Sequence, residues 1–76
     1  MTNRKRLINS ITIDYVIRSN HPKFRYCIIN SRNQLVSHID KISDAKRYYR
    51  NEIKLGIIEM RRDLTKTYDC NQRKVI

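Results

Sequence analysis

Seventeen lysines and arginines stand against seven acidic residues in a chain of 76, and these cations are the groups with the clearest chemical consequence. They fall into clusters. Arg4, Lys5 and Arg6 form an N-terminal arm. Lys46, Arg47, Arg50 and Lys54 recur at helical spacing, and Arg61, Arg62 and Lys66 form a third group, with Arg25 standing apart in an aromatic-rich stretch. A cation cluster of this type binds phosphate oxygens, and each phosphate contact releases condensed counterions, so the binding is steeply salt-dependent. For one cluster alone, an ordinary solvated face is an equal explanation. Three on one short chain favour a shared use.

Other chemistry is sparse. His21 and His38 are the two histidines, and Cys27 and Cys70 the two cysteines. A hairpin would bring His38 beside Cys27, which invites a nucleophile or metal reading. No third ligand or orienting carboxylate is assured, so ordinary structural roles are favoured. Two cysteines this far apart match no paired metal spacing. A glycine-rich phosphate loop is excluded by the single Gly56. The scattered carboxylates give no acid–base pair. The expectation is a non-enzymatic binding protein with neither metal nor cofactor.

Composition bounds the setting. A net charge of +10 spreads positive potential over much of so small a surface and attracts nucleic acid, acidic protein or a nucleoprotein complex. A length of 76 residues allows a single small basic domain over 1–76, with a mobile basic arm at 1–7 and a polar tail at 66–76. There is no window of about 18 apolar residues to span a membrane, and no signal-peptide core follows the basic start. A cytoplasmic location without membrane association is expected.

The elements that must position these groups follow from periodicity. In residues 11–18, Ile11, Ile13, Tyr15 and Ile17 alternate with Thr12, Asp14, Val16 and Arg18, a strand pattern. Pro22 marks a turn. Phe24, Tyr26 and Ile28 share a face of a second strand over 23–30. Ser31–Gln34 reads as a hairpin loop, with Asn33 able to take a left-handed conformation, and residues 35–40 return as a third strand. A four-residue loop sets Tyr26 opposite Ile39 and Arg25 opposite Asp40. Residues 43–55 read as one helix, capped by Ser43, buried along Ala45, Tyr49 and Ile53, and stopped at Gly56. Tyr48 stands at the edge of the basic stripe, placed to stack on a base or to cover the rim of the core.

Residues 57–64 fit either a continued helical stripe or a fourth strand, and Gly56 tips the balance to the strand. The expected fold class is α+β: a small antiparallel sheet of three or four strands with one helix packed on one face. Ile13, Tyr15, Phe24, Tyr26, Ile28, Ile39, Ala45, Tyr49 and Ile53 would form its core. Arg25, Cys27, Ile29, Val36 and His38, with Val16 and Arg18, would lie on an uncovered face that suits a docked partner. An open sheet edge would also allow a homodimer.

Phe24-Arg25-Tyr26, the turn at Ser31–Gln34 and Asp44-Ala45-Lys46 resemble the small arm-type DNA-binding domains at the start of phage and transposon integrases, over about residues 11–56. In that family the sheet enters the major groove and the helix supports it from behind. The hairpin glycine usual there is missing, and the 76 residues hold no recombinase core, so the resemblance implies DNA binding without strand exchange. In size and plan the chain also resembles small phage-encoded inhibitors, some anti-CRISPR proteins among them, which bind host nucleoprotein complexes. The abundance of Ile, Asn, Lys and Tyr, which have AT-rich codons, agrees with a phage or mobile-element origin. Direct nucleic-acid binding through phosphate contacts is therefore the first expectation. Docking of a host protein or nucleoprotein complex is the alternative.

Overall fold

A computed structural model describes residues 11–76. Arg4, Lys5 and Arg6, and the expectation of a basic arm, lie outside the described residues. The strands are β1 (Thr12–Ser19), β2 (Tyr26–Ile29), β3 (Leu35–Ile39), β4 (Ile58–Asp69) and β5 (Lys74–Val75). Two short helices, α1 (Asp44–Tyr48) and α2 (Arg50–Lys54), lie between β3 and β4. The fold is a small α+β arrangement with one sheet in the order β3-β2-β1-β4-β5.

The expected all-antiparallel sheet is corrected at one pairing: β4 runs parallel to β1, while the other neighbours are antiparallel. Two reversals make β3 parallel to β1, and hence to β4. A parallel return requires a long crossover, usually helical, and residues 40–57 supply it. That crossover carries α1 and α2 across one face of the sheet.

Tyr26 pairs with Ile39 and Cys27 with His38 as expected. The register shifts between Ile28 and Ile29, however, and the Asn30 N–H donates to the Gln34 carbonyl at 3.0 Å, so the loop closes over three residues, 31–33, and not the four expected. Asn33 has φ 62°, and the Asn30 side-chain carbonyl accepts hydrogen bonds from the backbone N–H of Arg32 at 2.9 Å and Gln34 at 3.0 Å. A short amide side chain tolerates that left-handed backbone and organises the loop without glycine. At the end of α2, Gly56 has φ 74°, as a helix stop requires.

The single helix expected over 43–55 is instead two five-residue helices that meet at Tyr49, where φ is −111° and ψ is 31°. Ser43 makes no side-chain cap. Asp44 Oδ2 accepts the N–H of Lys41, ahead of the helix, at 3.3 Å.

The core is double. On the helix side, Val16, Ile28, Ile39 and Ala45 are buried, with Tyr26, Val36, Ile42, Tyr49 and Met60 packed on them. On the other side, Ile17, Cys27, Ile29 and Tyr68 are buried, with Tyr15, Cys70 and Val75 against them. The expected face of β1 is thereby inverted: Val16 meets the helices, and Tyr15 and Ile17 do not. Asp14, expected in solvent, is buried on this strand at 3% exposure. Ile13 and Ile53 are only half-buried. The face expected to be open is covered around Cys27 and Ile29 by Tyr68, Cys70 and Val75.

That cover comes from the segment expected as a polar tail, residues 66–76. Residues 66–69 complete β4, and β5 pairs Val75 with Tyr68 and Lys74 with Asp69. The register along β4 breaks between Val16↔Arg62 and Arg18↔Thr67, so β4 carries extra residues there. Such a bulge bends a strand and raises its twist. Beyond it, Asp69 Oδ1 accepts from Asn20 Nδ2 at 3.1 Å and from the Asn71 N–H at 2.9 Å, which locks the turn into β5.

Candidate nucleic-acid interface

Strand alternation decides where the cations point. Arg62 pairs with Val16 and Met60 with Asp14, which places Arg62 on the helix side. Arg61 pairs with Tyr15 on the opposite side, and its guanidinium forms an ion pair with Glu59. Lys66 also lies there, with Nζ 6.0 Å from the centre of the Tyr15 ring. The cluster expected from Arg61, Arg62 and Lys66 is thus split between two faces, because adjacent strand residues point in opposite directions.

A different grouping replaces it. Lys46 of α1 and Arg62 of β4 rim one recess, floored by Val16, Ile42 and Met60. Arg25 and Lys41 line a second recess with Tyr26, Ile42 and one carboxylate, Asp40. Arg18 lines a third with Arg25 and Tyr26. The first two recesses share Ile42, and the last two share Arg25 and Tyr26, so they run into one another. Arg18 lies two residues beyond Val16 and pairs with Tyr26, which keeps it on this side. Lys46, Arg62, Arg18, Arg25 and Lys41 are all exposed. Among the described residues Arg61–Glu59 is the one ion pair, so these five cations present their charge to solvent.

Lys41 is not among the candidates read from the sequence, and Arg18 is expected there only on the uncovered sheet face, whereas the β1–β2 register sets it against Tyr26 on the helix side. The remaining candidates fall elsewhere. Arg47 lies on another flank of α1, in a recess with Phe24, His38, Asp40, Asp44 and Tyr48. Arg50 and Lys54 are exposed on α2 and line none of these recesses.

His38, Cys27 and Cys70 gather on the opposite side of the sheet, and His21 joins them while also lining the recess of Arg18 and Arg25. His38 stacks on Phe24 with centroids 5.8 Å apart and planes at 15°, and His21 lies 4.5 Å from His38. Tyr68 meets the His38 ring edge-on. Cys70 Sγ lies 4.0 Å from His38 Nε2 and 3.6 Å from Ser19 Oγ. Burial, and then the neighbouring His21, hold His38 below its ordinary pKa of 6.5. Burial, and then Cys70, push the Cys27 thiol up to about 12. A thiol held there stays protonated at neutral pH, and nucleophiles need the reverse shift. Among the described residues, no three His, Cys, Asp or Glu side chains are placed to hold a metal ion. No described helix is long and apolar enough to cross a membrane.

No protein-family model, curated protein or solved structure matches this chain.

Proposed function

We propose that this protein binds nucleic acid through phosphate contacts along the helix-side strip of Lys46, Arg62, Arg18, Arg25 and Lys41. The observation that carries the reading is the convergence of cations from α1, β4, β1 and the two ends of the β2–β3 hairpin on recesses that share walls. The strip crosses β4, β1 and β2, a width of about 10 Å at the usual strand spacing. One strand of a duplex advances about 3.4 Å per phosphate, so roughly three phosphates fall within that width. Phosphate contacts fix position without reading sequence, so uniform affinity across duplex sequences is expected.

Fluorescence anisotropy with a labelled oligonucleotide at several salt concentrations tests the proposal. Roughly three phosphate contacts give a slope of log affinity against log salt of about −3 on duplex DNA. Reversing Arg18 and Arg62 to Glu should weaken binding at least tenfold and make the slope shallower by about 2. The reading fails if neither DNA nor RNA binds at low salt, or if the double variant binds as the wild type does. Capture of a host protein after nuclease treatment, by a protein that binds no oligonucleotide, would establish the inhibitor role instead.

A further inference from the structure

The recess at the outer end of the hairpin differs in chemistry from the phosphate strip. Phe24, His38 and Tyr48 line it, and Arg47, Asp40 and Asp44 complete its wall. Asp40 is shared with the recess of Arg25 and Lys41, so the two adjoin. Tyr48 is 51% exposed, and its ring stands perpendicular to that of Tyr49 with centroids 4.9 Å apart, so about half of its surface is open to another partner. The Phe24 ring is fixed by its stack on His38 and by His21, 5.1 Å away.

A phosphate is disfavoured between two carboxylates, whereas a base is not. Aromatic faces hold bases of every type by stacking, and a carboxylate accepts a hydrogen bond from an exocyclic amine such as cytosine N4. An Arg beside the slot is placed for the adjoining phosphate. We infer that this recess takes one unpaired, amine-bearing base of a single strand, cytosine above all, while the backbone of that strand runs along the cation strip. The inference rests on the proposed phosphate strip and adds the base slot and the preference for single strands. A base inside a duplex cannot enter the slot without leaving its stack.

The test uses the full chain with three probes of equal length: oligo-dC, oligo-dT and a mixed-sequence duplex. Tyr48→Ala should weaken oligo-dC binding by about five- to hundredfold, the usual loss of one stacked base, and change duplex binding less than twofold. Tyr48→Phe should restore the single-strand affinity, since it keeps the ring. Asp40→Asn should bring oligo-dC and oligo-dT to near-equal affinity. If Tyr48→Ala leaves all three probes unchanged, or weakens duplex and single strand alike, the base slot is refuted while the phosphate strip stands. If the wild type binds none of the probes, both fall together.

Discussion

Cys27 offers a stringent test of the folded core, because its consequence has a sign and a pH window. The side chain has 0% exposure, in the cluster with Ile17, Ile29 and Tyr68. Its pKa is raised from 9.0 to about 12, by burial first and then by Cys70. The unfolded chain releases this proton above pH 9, and the folded chain does not. Stability from the protonated thiol is therefore complete below pH 9 and is lost as pH rises towards 12. Three units correspond to about 4 kcal/mol over the full span, and to about 1.4 kcal/mol by pH 10. With a urea slope of about 1 kcal/mol/M for so small a chain, the unfolding midpoint should fall by about 1.4 M between pH 8 and pH 10. The comparison is with Cys27→Ala, so that the contributions of all other groups cancel. That variant leaves a small void and is less stable at every pH, but it lacks the titrating thiol. Subtracting its midpoints from those of the wild type isolates the thiol. Parallel pH curves for the two proteins would show that Cys27 is not buried in this way.

Ile28→Ala should cost about 2–5 kcal/mol, since its side chain is fully buried, and Ile53→Ala less, since it is half-buried; thermal melts that rank them in reverse would displace the core. Gly56→Ala should cost about 1 kcal/mol although nothing lies within 4 Å of the added carbon, because its φ of 74° is strained for any side chain; a melt unchanged from wild type would contradict that conformation. The Asn20 amide, first among the groups around it, holds the Asp69 carboxyl below its ordinary 3.8, so the stability from that pair is present above this pH and is lost as pH falls. Asn20→Ala should flatten the acid limb of a plot of urea midpoint against pH, and an unaltered limb would argue against the contact.

The legible parts of the sequence were those in which one local rule dominates. Asn33 marked the hairpin turn, and Tyr26 does oppose Ile39, although a shift between Ile28 and Ile29 together with a three-residue loop produces that register, not the four-residue loop expected. A lone glycine after a helical stripe marked the helix end. β1 was misread because it is the middle strand and apolar side chains cover both its faces. Val16 and Ile17 are adjacent and both buried, and alternation cannot then say which side the helices take. Asp14 misled in the same way, since a carboxylate on a strand ordinarily points to water. β4 was read short because its second half carries Thr65, Lys66 and Thr67, all polar, and Tyr68 is its one buried apolar side chain.

The same strand explains why the candidate site was only partly visible. Sequence clusters of charge were read as surface clusters, which holds on a helix, where residues three and four apart are neighbours. On a strand the rule reverses, and Arg61 and Arg62 go to opposite faces because they are adjacent. Cations from separate elements then become neighbours through register: Arg62 beside Val16, and Arg18 beside Tyr26. Lys46 joins them only because the crossover forced by the parallel β1–β4 pairing lays α1 over Val16 and Met60. The strip thus depends on one topological feature, the parallel β4. Had β4 run antiparallel, its side chains would face the helices in a different order along β1, and the partners of Lys46 would change with them.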